Sequence, residues 1–477
     1  QVDSNGNAIS TNTETSGRYH TDWLNMMYPR LRLARNLLRD DGVIFISIDD
    51  NELFNLKKIC DEIFGEDNYV TEFAWEKKKK PSFLHRNVGK LNDYILCYVK
   101  NALTSKAFSV ETTTEGKKYP FNNAGNGLTT LTFPAGSVKF NMPDGVVQPQ
   151  DMSEGAIITR LLDTVHISNG RNSNSFRLEG EWRYSQTKLN EIVANSEEII
   201  ISKIPFRPNH VKKGGEVKKM KNVLSPVHYQ METNEDATQQ LVDLFGVALF
   251  DNPKPVKLLK YLIRAVTYDT SDAVILDFFS GSATTAHAVM QLNAEDGGNR
   301  KFIMVQLPEP CGEQSVAYKA GFKTVADIGK ERIRRAGKKI LEERPELVGK
   351  LDVGFRVLFV DSSNVMDAYF TRSREETGGI IFIKEGRTHE DLLFWAMLEL
   401  GVPPSGKISM LELAGKKVYE VDNGKLFAFF DGQLTAEVVK EIACRQPDYA
   451  VFCDEGAFIK IEQIFADHSP STKVKLL

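Results

Sequence analysis

The segment DFFSGSATT, residues 277–285, places a carboxylate, two aromatic rings, a glycine and several hydroxyl side chains in succession. It follows the apolar run AVIL and precedes residues with helical spacing, so it stands where a strand turns into a helix. Such a turn presents backbone N–H groups at a helix N-terminus, which suits a nucleotide-like ligand. Gly281 permits a positive φ or a close backbone approach, and Asp277 can accept hydrogen bonds from a ribose or an amino group. On these residues alone, a strand-to-helix turn without a ligand remains the alternative.

Phosphate-binding motifs do not fit this turn. The sequence contains no GxxxxGKS/T motif, which excludes a P-loop, and the turn has too few glycines for GxGxxG. The histidines are scattered and predict no metal site. If the turn binds a ligand, a nucleotide-like organic molecule therefore fits it better than a phosphate group or a metal ion.

The elements around the turn predict a doubly wound α/β sheet. Residues 42–49 form a short apolar run that is typical of a strand buried on both faces of a parallel sheet. Residues 273–279 and 300–307 likewise predict buried strands. Helical spacing lies near these runs, in residues 252–267 and 325–343. Alternating buried strands and helices are typical of a doubly wound core.

Composition divides the chain into segments. Residues 1–18 are polar and predict a flexible N-terminal segment. Residues 106–235 are rich in Gly, Pro, Asn, Thr and Ser, and they predict an irregular β-rich insertion. The insertion separates two parts of the core, residues 19–105 and 236–348, and residues 349–477 predict a small α+β C-terminal domain.

Overall composition argues against a strongly basic protein and against a membrane-spanning one. The net charge of the 477 residues is −4, so a nucleic-acid site must be a local basic patch. No run of about 18 apolar residues occurs, so no membrane span is expected. The five cysteines form no CxxC pair, which is typical of a cytoplasmic protein.

Three segments around the turn resemble the cofactor half of the β-class exocyclic-amino DNA methyltransferases, whose cofactor is S-adenosylmethionine. They are NPKP (252–255), DFFSGSATT and RKFIMVQLPE (300–309). The resemblance implies a Rossmann-like methyltransferase core in which PKP opens a helix against the cofactor and the turn wraps the methionine end. The end of the next strand would meet the ribose or adenine. By position, the implied cofactor-binding residues are Pro253, Lys254, Pro255, Asp277, Phe278, Phe279, Ser280, Gly281, Ser282, Thr284, Thr285, Gln306 and Glu309.

Further segments resemble the modification subunit of type III restriction-modification systems. They are residues 20–52, DIGKERIRRAG (327–337) and DVGFRVLFVDSSN (352–364). The resemblance implies a site-specific adenine-N6 methyltransferase acting on double-stranded DNA. It also implies that the insertion is the target-recognition domain and that the C-terminal domain serves assembly. The expected partners are a second copy in a homodimer and a helicase-endonuclease restriction subunit.

The sequence departs from this family in the turn and in the catalytic motif. Ala283 stands where a second glycine is common, and Gln306 where an acidic ribose partner is common, so Glu309 is a possible substitute. The family orients the acceptor amine with a D/N-P-P-Y/F/W motif, whose aromatic ring stacks on the flipped base. No PPY, PPF or PPW occurs in the sequence.

The missing motif leaves two interpretations of the chain. The motif precedes the recognition insertion in this family, so we expect it upstream of Gln1, with no catalytic residue in this chain. On that expectation the chain as given does not methylate DNA. The alternative is a non-catalytic DNA-recognition or assembly subunit with a vestigial cofactor fold. An RNA methyltransferase is a third, less favoured interpretation.

Two basic clusters are the candidate DNA contacts. Basic side chains in loops are the expected phosphate footprint, whereas a solvated surface is the alternative for any one lysine. The first cluster contains Lys77, Lys78, Lys79, Lys80 and Arg86. The second contains Lys203, Arg207, Lys212, Lys213, Lys218, Lys219 and Lys221.

Overall fold

The computed structural model describes residues 19–80, 87–366, 383–432, 434–453 and 460–477. The chain divides into two compact units, Gln1–Val353 and Gly354–Leu477. None of the helices within the described ranges combines the length and apolar character that a membrane span needs. The predicted flexible segment, residues 1–18, lies outside the described residues.

The first unit opens with a small α/β arrangement. Its elements are α1 (Tyr19–Leu37), β1 (Val43–Ile48), α2 (Leu53–Phe64), a 3-10 turn (Glu66–Asn68), β2 (Tyr69–Glu76) and β3 (Asn92–Val99). Leu31 of α1 and Leu56 of α2 are buried in one cluster with Leu96 and Tyr98 of β3. The helices therefore lie on one face of the sheet.

The middle of the first unit is made mostly of strands. They are β4 (Glu111–Thr112), β5 (Lys118–Pro120), β6 (Leu128–Phe133), β7 (Val138–Phe140), β8 (Gly145–Val147), β9 (Gln150–Asp151), β10 (Thr159–Leu161), β11 (Val165–Ser168), β12 (Arg171–Asn172) and β13 (Phe176–Glu181). After α3 (Gln186–Ala194) come β14 (Glu198–Ile201), β15 (Asn209–Val211), β16 (Val217–Lys218) and β17 (Val223–Leu224).

Most of these strands form three sheets, and the last of them, β17, joins the sheet that contains β1, β2 and β3. Their orders are β5-β15-β14-β7-β12-β11-β8, β6-β13-β10-β9 and β16-β4, while β17 joins β2. One apolar cluster holds the two larger sheets together, including Phe133, Phe140, Phe176 and Phe206. The insertion thus has a core of its own.

The rest of the first unit carries the candidate site. Its elements are α4 (Asn234–Phe245), α5 (Val256–Thr267), β18 (Val274–Asp277), α6 (Thr284–Asp296), β19 (Lys301–Met304), α7 (Val316–Lys319), α8 (Val325–Glu343) and a final 3-10 turn (Pro345–Leu347). The α8 helix begins at the predicted residue because Thr324 and Asp327 form a capping box.

Two sheets make up the core of this unit, and α5 connects them. The first has the order β1-β3-β2-β17, and β18 pairs in parallel with β19 to form the second. Leu258 and Leu262 of α5 pack into the apolar cluster of the first sheet. Val256 and Ile263 of the same helix pack into the cluster of the second. Each fully buried aliphatic side chain stabilises such packing by about 1.5–3 kcal/mol.

The prediction of strands buried on both faces is wrong. β1 pairs antiparallel with β3, instead of lying in a parallel sheet, and most of its residues are only half-buried. In the second sheet Val274 is 62% exposed and Ile303 is 51% exposed. Ile275 and Phe302 pack against the helices on the other face. An apolar strand sequence permits burial on both faces, but neighbouring elements decide whether each face is covered.

The second unit is a five-stranded sheet with helices on both faces. Its elements are α9 (His389–Glu399), β20 (Ile408–Leu413), β21 (Lys416–Val421), β22 (Leu426–Phe429), α10 (Ala436–Ala443), β23 (Tyr449–Phe452), α11 (Ile461–His468) and β24 (Lys473–Leu476). The strands are paired in chain order, antiparallel from β20 to β22 and parallel from β22 to β24. Phe427 and Phe429 face α10 and α11, whereas Leu426 and Ala428 face α9.

Candidate functional site

The turn between β18 and α6 has an unusual backbone. Gly281 has φ +52° and Ala283 has φ +58°, so two residues within three lie in the left-handed region. For an alanine this conformation costs about 1–2 kcal/mol. Ala283 therefore adopts the conformation that a glycine would favour, and surrounding contacts must offset the strain.

Asp277 ties the two ends of the turn together. One carboxylate oxygen, Oδ2, accepts a hydrogen bond from Thr285 Oγ1 at 2.5 Å. The other, Oδ1, accepts the backbone N–H of Phe279 at 3.3 Å. The strand end and the first turn of α6 are thus held by one carboxylate.

Gln306, just beyond β19, connects the turn to the neighbouring strand. Its Oε1 accepts the backbone N–H of Gly281 at 2.8 Å, while Ser280 N donates to the carbonyl of Val305 at 3.2 Å. The amide oxygen of Gln306 therefore orients the turn. Glu309 lies three residues on and is exposed, so its carboxylate is open to a ligand.

Arg332 of α8 contacts the buried side of the turn. Its side chain is fully buried, and Nη1 donates to Ser282 Oγ at 2.9 Å and to Thr284 Oγ1 at 2.6 Å. Burial lowers the pKa of Arg332 to about 10, so the guanidinium remains charged at neutral pH. Gly329, one turn earlier, permits close packing because a Cβ there would lie 3.3 Å from the carbonyl oxygen of Gly281.

Sequence analysis did not assign a role to Arg332, although a signal was present. Ile328, Arg332 and Ala336 are spaced four residues apart, so the arginine lies on the apolar stripe of α8. A charged residue on such a stripe indicates either a buried polar partner or a functional contact. Here the partners are the hydroxyls of the turn.

The side chains of the turn divide into an inner and an outer group. Ser280, Ser282, Thr284 and Thr285 are buried, and the last three use their hydroxyls in the contacts described above. Phe279 is 50% exposed and presents its ring at the surface. Phe278 instead packs into the cluster formed by α1, α2 and the first sheet. The inner group shapes the turn, and Phe279 is available for a ligand.

The predicted PKP segment contacts the first sheet. Pro253 and Pro255 are buried, and Pro255 is the cap residue of α5. The ammonium of Lys254 lies 4.6 Å from the ring centroid of Trp75 and 3.7 Å from Asp93 Oδ2. Burial lowers the pKa of Lys254, an effect that the Asp93 carboxylate opposes. The Lys254 side chain thus lies over an aromatic ring and beside a carboxylate.

Comparison with protein families identifies the chain. The model of a DNA methylase family matches residues 6–316, a range that includes α5, the turn and β19. The chain belongs to this DNA methylase family. The match also includes the strand-rich insertion.

The chain is similar to the modification subunits of type III restriction-modification enzymes. It is 38% identical to the StyLTI Mod subunit of Salmonella typhimurium over 71% of this chain and 48% of the relative. Identity to the EcoPI Mod subunit of Escherichia phage P1 is 32%, over 70% of this chain and 52% of the relative. It is also 30% identical to the type II methyltransferase M.KpnI of Klebsiella pneumoniae, over 66% of this chain and 74% of the relative. The chain therefore spans about half the length of the Mod subunits it matches.

Several of the lysines predicted to contact DNA form ion pairs. Lys77 pairs with Asp93, Lys79 with Asp236, Lys212 with Glu216 and Lys218 with Glu111, at 2.5–2.8 Å. Lys213 donates to a backbone carbonyl, and Lys221 lies 3.4 Å from His228 Nδ1. A DNA phosphate would have to compete with these partners.

The remaining basic residues differ in their surroundings. Arg207 is half-buried and donates to the carbonyls of Phe206 and Met152, and burial lowers its pKa. Arg86 lies outside the described residues. Within the described ranges, no ion pair involves Lys78, Lys80, Lys203 or Lys219, and the last three are exposed. These four lysines are the ones best able to contact a polyanion.

Proposed function

We propose that this chain supplies the cofactor-binding and DNA-recognition parts of an adenine-N6 DNA methyltransferase. The whole protein would be the modification subunit of a type III restriction-modification system. One observation carries the proposal. In a member of the DNA methylase family, the turn at residues 277–285 is held by hydrogen bonds to Asp277, Gln306 and Arg332 of the protein itself. Preorganisation of this kind is what a small-molecule site requires.

S-adenosylmethionine is the proposed cofactor, and the residues of the turn fit it. The Gly281 backbone can approach a ligand closely because the residue has no Cβ, and Phe279 offers an exposed ring. When bound, the cofactor supplies an electrophilic methyl group on a sulfonium. The exposed carboxylate of Glu309 is the proposed hydrogen-bond acceptor for the ribose hydroxyls.

The positioning groups have separate tasks in this proposal. Asp277 fixes the spacing between the strand end and the first turn of α6, and Gln306 sets the orientation of the Gly281 peptide. Lys254 lies beside Asp93 and Trp75, where it can hold the start of α5 against the first sheet. None of these groups is assigned to the chemical step, because the sequence contains no D/N-P-P-Y/F/W motif.

We also propose a domain organisation and partners. The methyltransferase core, Rossmann-like and doubly wound, comprises residues 19–105 and 236–348, and residues 106–235 form the target-recognition domain. Residues 349–477 serve assembly. The proposed partners are double-stranded DNA, a second copy of the subunit and a helicase-endonuclease subunit, all met in the cytoplasm.

Calorimetric titration of the chain with S-adenosylmethionine tests the proposal. We expect saturable binding that Asp277→Ala abolishes or weakens strongly, and binding of duplex DNA that RNA does not displace. If the chain binds duplex DNA but no S-adenosylmethionine, a non-catalytic recognition subunit with a vestigial fold becomes the better interpretation. Preferential binding of RNA would instead support an RNA methyltransferase.

A further inference from the structure

Arg332 is a buried cation with an incomplete set of partners. The side chain is fully buried, yet among the described residues neither Nε nor Nη2 has a hydrogen-bond partner. No described carboxylate forms an ion pair with it. By contrast, Arg300, also buried in this unit, pairs with Asp296 and donates to Thr267.

Burying a charge without a counter-ion is unfavourable. An apolar side chain of similar length would avoid the desolvation of the guanidinium, and replacing buried ionic groups by apolar ones is often neutral or stabilising. Stability alone is therefore a poor explanation for an arginine at this position. The contacts that it does make point to another role.

Both contacts of Arg332 are with the turn, and they lie on either side of its strained residue. The two acceptors, Ser282 Oγ and Thr284 Oγ1, belong to the neighbours of Ala283, whose φ is +58°. Arg332 Nη1 therefore donates to the residue before and the residue after the left-handed Ala283. Gly329 of the same helix approaches the Gly281 carbonyl, which brings α8 against the turn from the same side.

We propose that Arg332 is a positioning residue that holds residues 281–284 in the conformation that binds the cofactor, acting through the hydroxyls of Ser282 and Thr284. The proposal rests on the proposed function, because it concerns that same site. Arg332 does not touch the ligand, since its remaining nitrogens are buried. It secures the part of the turn expected to wrap the methionine end of S-adenosylmethionine, leaving the adenosine end to other residues.

The test compares two ligands that differ at that end. S-adenosylmethionine has the amino-acid portion, whereas 5′-methylthioadenosine lacks it. In the 477-residue chain, we expect Arg332→Met to weaken S-adenosylmethionine binding about tenfold or more, as loss of a charge-assisted hydrogen bond does. Binding of 5′-methylthioadenosine should change far less. Arg332→Lys, which keeps a charged donor, should restore much of the lost affinity.

Arg300→Met is the matched control, because it removes another buried arginine of the same unit. We expect it to lower the melting temperature and to leave the ratio of the two ligand affinities unchanged. Equal weakening of both ligands by Arg332→Met, together with a lower melting temperature, would mean that Arg332 only supports the fold. Unchanged S-adenosylmethionine affinity would also overturn the proposal.

Hydrogen exchange of the free chain separates this proposal from the proposed function. In Arg332→Met we expect faster exchange of the amides of residues 280–285, with the rest of the chain unchanged. If the wild-type chain binds neither ligand, the proposed function loses its cofactor. The exchange measurement still tests the positioning role in that case. Faster amide exchange at residues 280–285 in Arg332→Met supports the role, and exchange as slow as in the wild type refutes it.

Discussion

The turn at residues 277–285 and the basic segment at residues 203–221 are both candidate binding surfaces, but their polar groups are arranged in opposite ways. In the turn, most hydroxyl groups face inward and are fixed by Asp277 and Arg332. In the basic segment, most ammonium groups face solvent, either paired with a local acid or without an ion pair among the described residues. The polar groups of the first surface are held by partners within the protein, whereas the paired lysines of the second must exchange a carboxylate for a phosphate when they bind DNA.

This difference determines how strongly substitutions in each segment should weaken ligand binding. Hydrogen bonds to charged groups in a partly buried site contribute about 1.5–3 kcal/mol each. Exposed ion pairs contribute about 0–1 kcal/mol and are screened by salt. Substitutions in the turn should therefore have large effects independent of salt, and those in the basic segment small effects that depend on salt.

The largest effect is expected from Asp277→Ala. The substitution removes the acceptor for Thr285 Oγ1 and for the Phe279 N–H, so the strand end and α6 separate. Loss of two such bonds should weaken S-adenosylmethionine binding about 100-fold in calorimetry. Asp269→Ala removes a surface carboxylate paired with Lys106 and serves as the control, with little change in affinity. Comparable losses from both variants would contradict the special role of Asp277.

A smaller effect in the turn is expected from Gly281→Ala, with Gly297→Ala as its match. Both glycines have positive φ, so each alanine should cost about 1 kcal/mol of folding free energy. A Cβ at residue 281 would also lie 3.3 Å from Phe250 Cζ, whereas one at residue 297 meets nothing within 4 Å. Chemical denaturation should show a loss of stability in both variants, larger for Gly281→Ala because of Phe250, and only Gly281→Ala should weaken cofactor binding. Equal cofactor affinities would show that the turn tolerates the added methyl group.

The sequence predicted the location of the turn better than its internal bonding. A strand, a glycine and a helix mark the turn, because those propensities are local. Arg332 of α8 contacts both neighbours of the left-handed Ala283, and the Gly281 N–H donates to Gln306 beside the neighbouring strand. Local sequence reveals neither contact. Gln306 stands where the family resemblance implies a common acidic ribose partner, and its Oε1 accepts the Gly281 N–H.

Two other aspects of the fold also depend on distant residues. The pairing of β1 with β3 is antiparallel, although its apolar sequence is typical of a parallel strand. The partners of the basic clusters were likewise hidden, since Lys79 pairs with Asp236 across 157 positions. Composition identifies a basic cluster, but only tertiary structure shows which charges are already compensated.

Double lysine variants test whether unpaired lysines in the basic segment contact DNA more than paired ones do. The double variant Lys203→Gln/Lys219→Gln removes two ammonium groups for which no described ion pair exists. We expect it to weaken duplex DNA binding and to reduce the log–log salt slope by about 2, or roughly one for each phosphate contact. Fluorescence anisotropy over a salt series measures both quantities.

Lys212→Gln/Lys218→Gln is the matched control in the same segment. Both lysines are paired with acids, Glu216 and Glu111, so DNA binding to them must displace a carboxylate. The control should therefore change the affinity and the salt slope less. A larger effect from the paired lysines would show that ion pairing in the free protein does not predict which lysines contact DNA.

His287, which lies on α6 just after the turn, should make folding stability depend on pH. Its Nδ1 is buried without a described partner, and burial lowers the pKa of His287 to about 3, with a further contribution from Arg332. A free histidine titrates near pH 6.5. Between those two values the unfolded chain binds the proton and the folded chain does not, so folding stability falls as the pH falls.

His287→Leu should remove this contribution. The wild-type free energy of unfolding should lose up to about 1.4 kcal/mol more per pH unit than the variant between about pH 6 and pH 4. Urea denaturation at several pH values measures the difference, and Gly297→Ala, which changes the C-terminal end of α6 without removing a titratable group, should keep the wild-type slope. Parallel slopes for wild type and His287→Leu would mean that this imidazole accepts a proton in the folded state. The inner side of the turn would then be open to solvent, and the contrast with the basic segment would fail at that point.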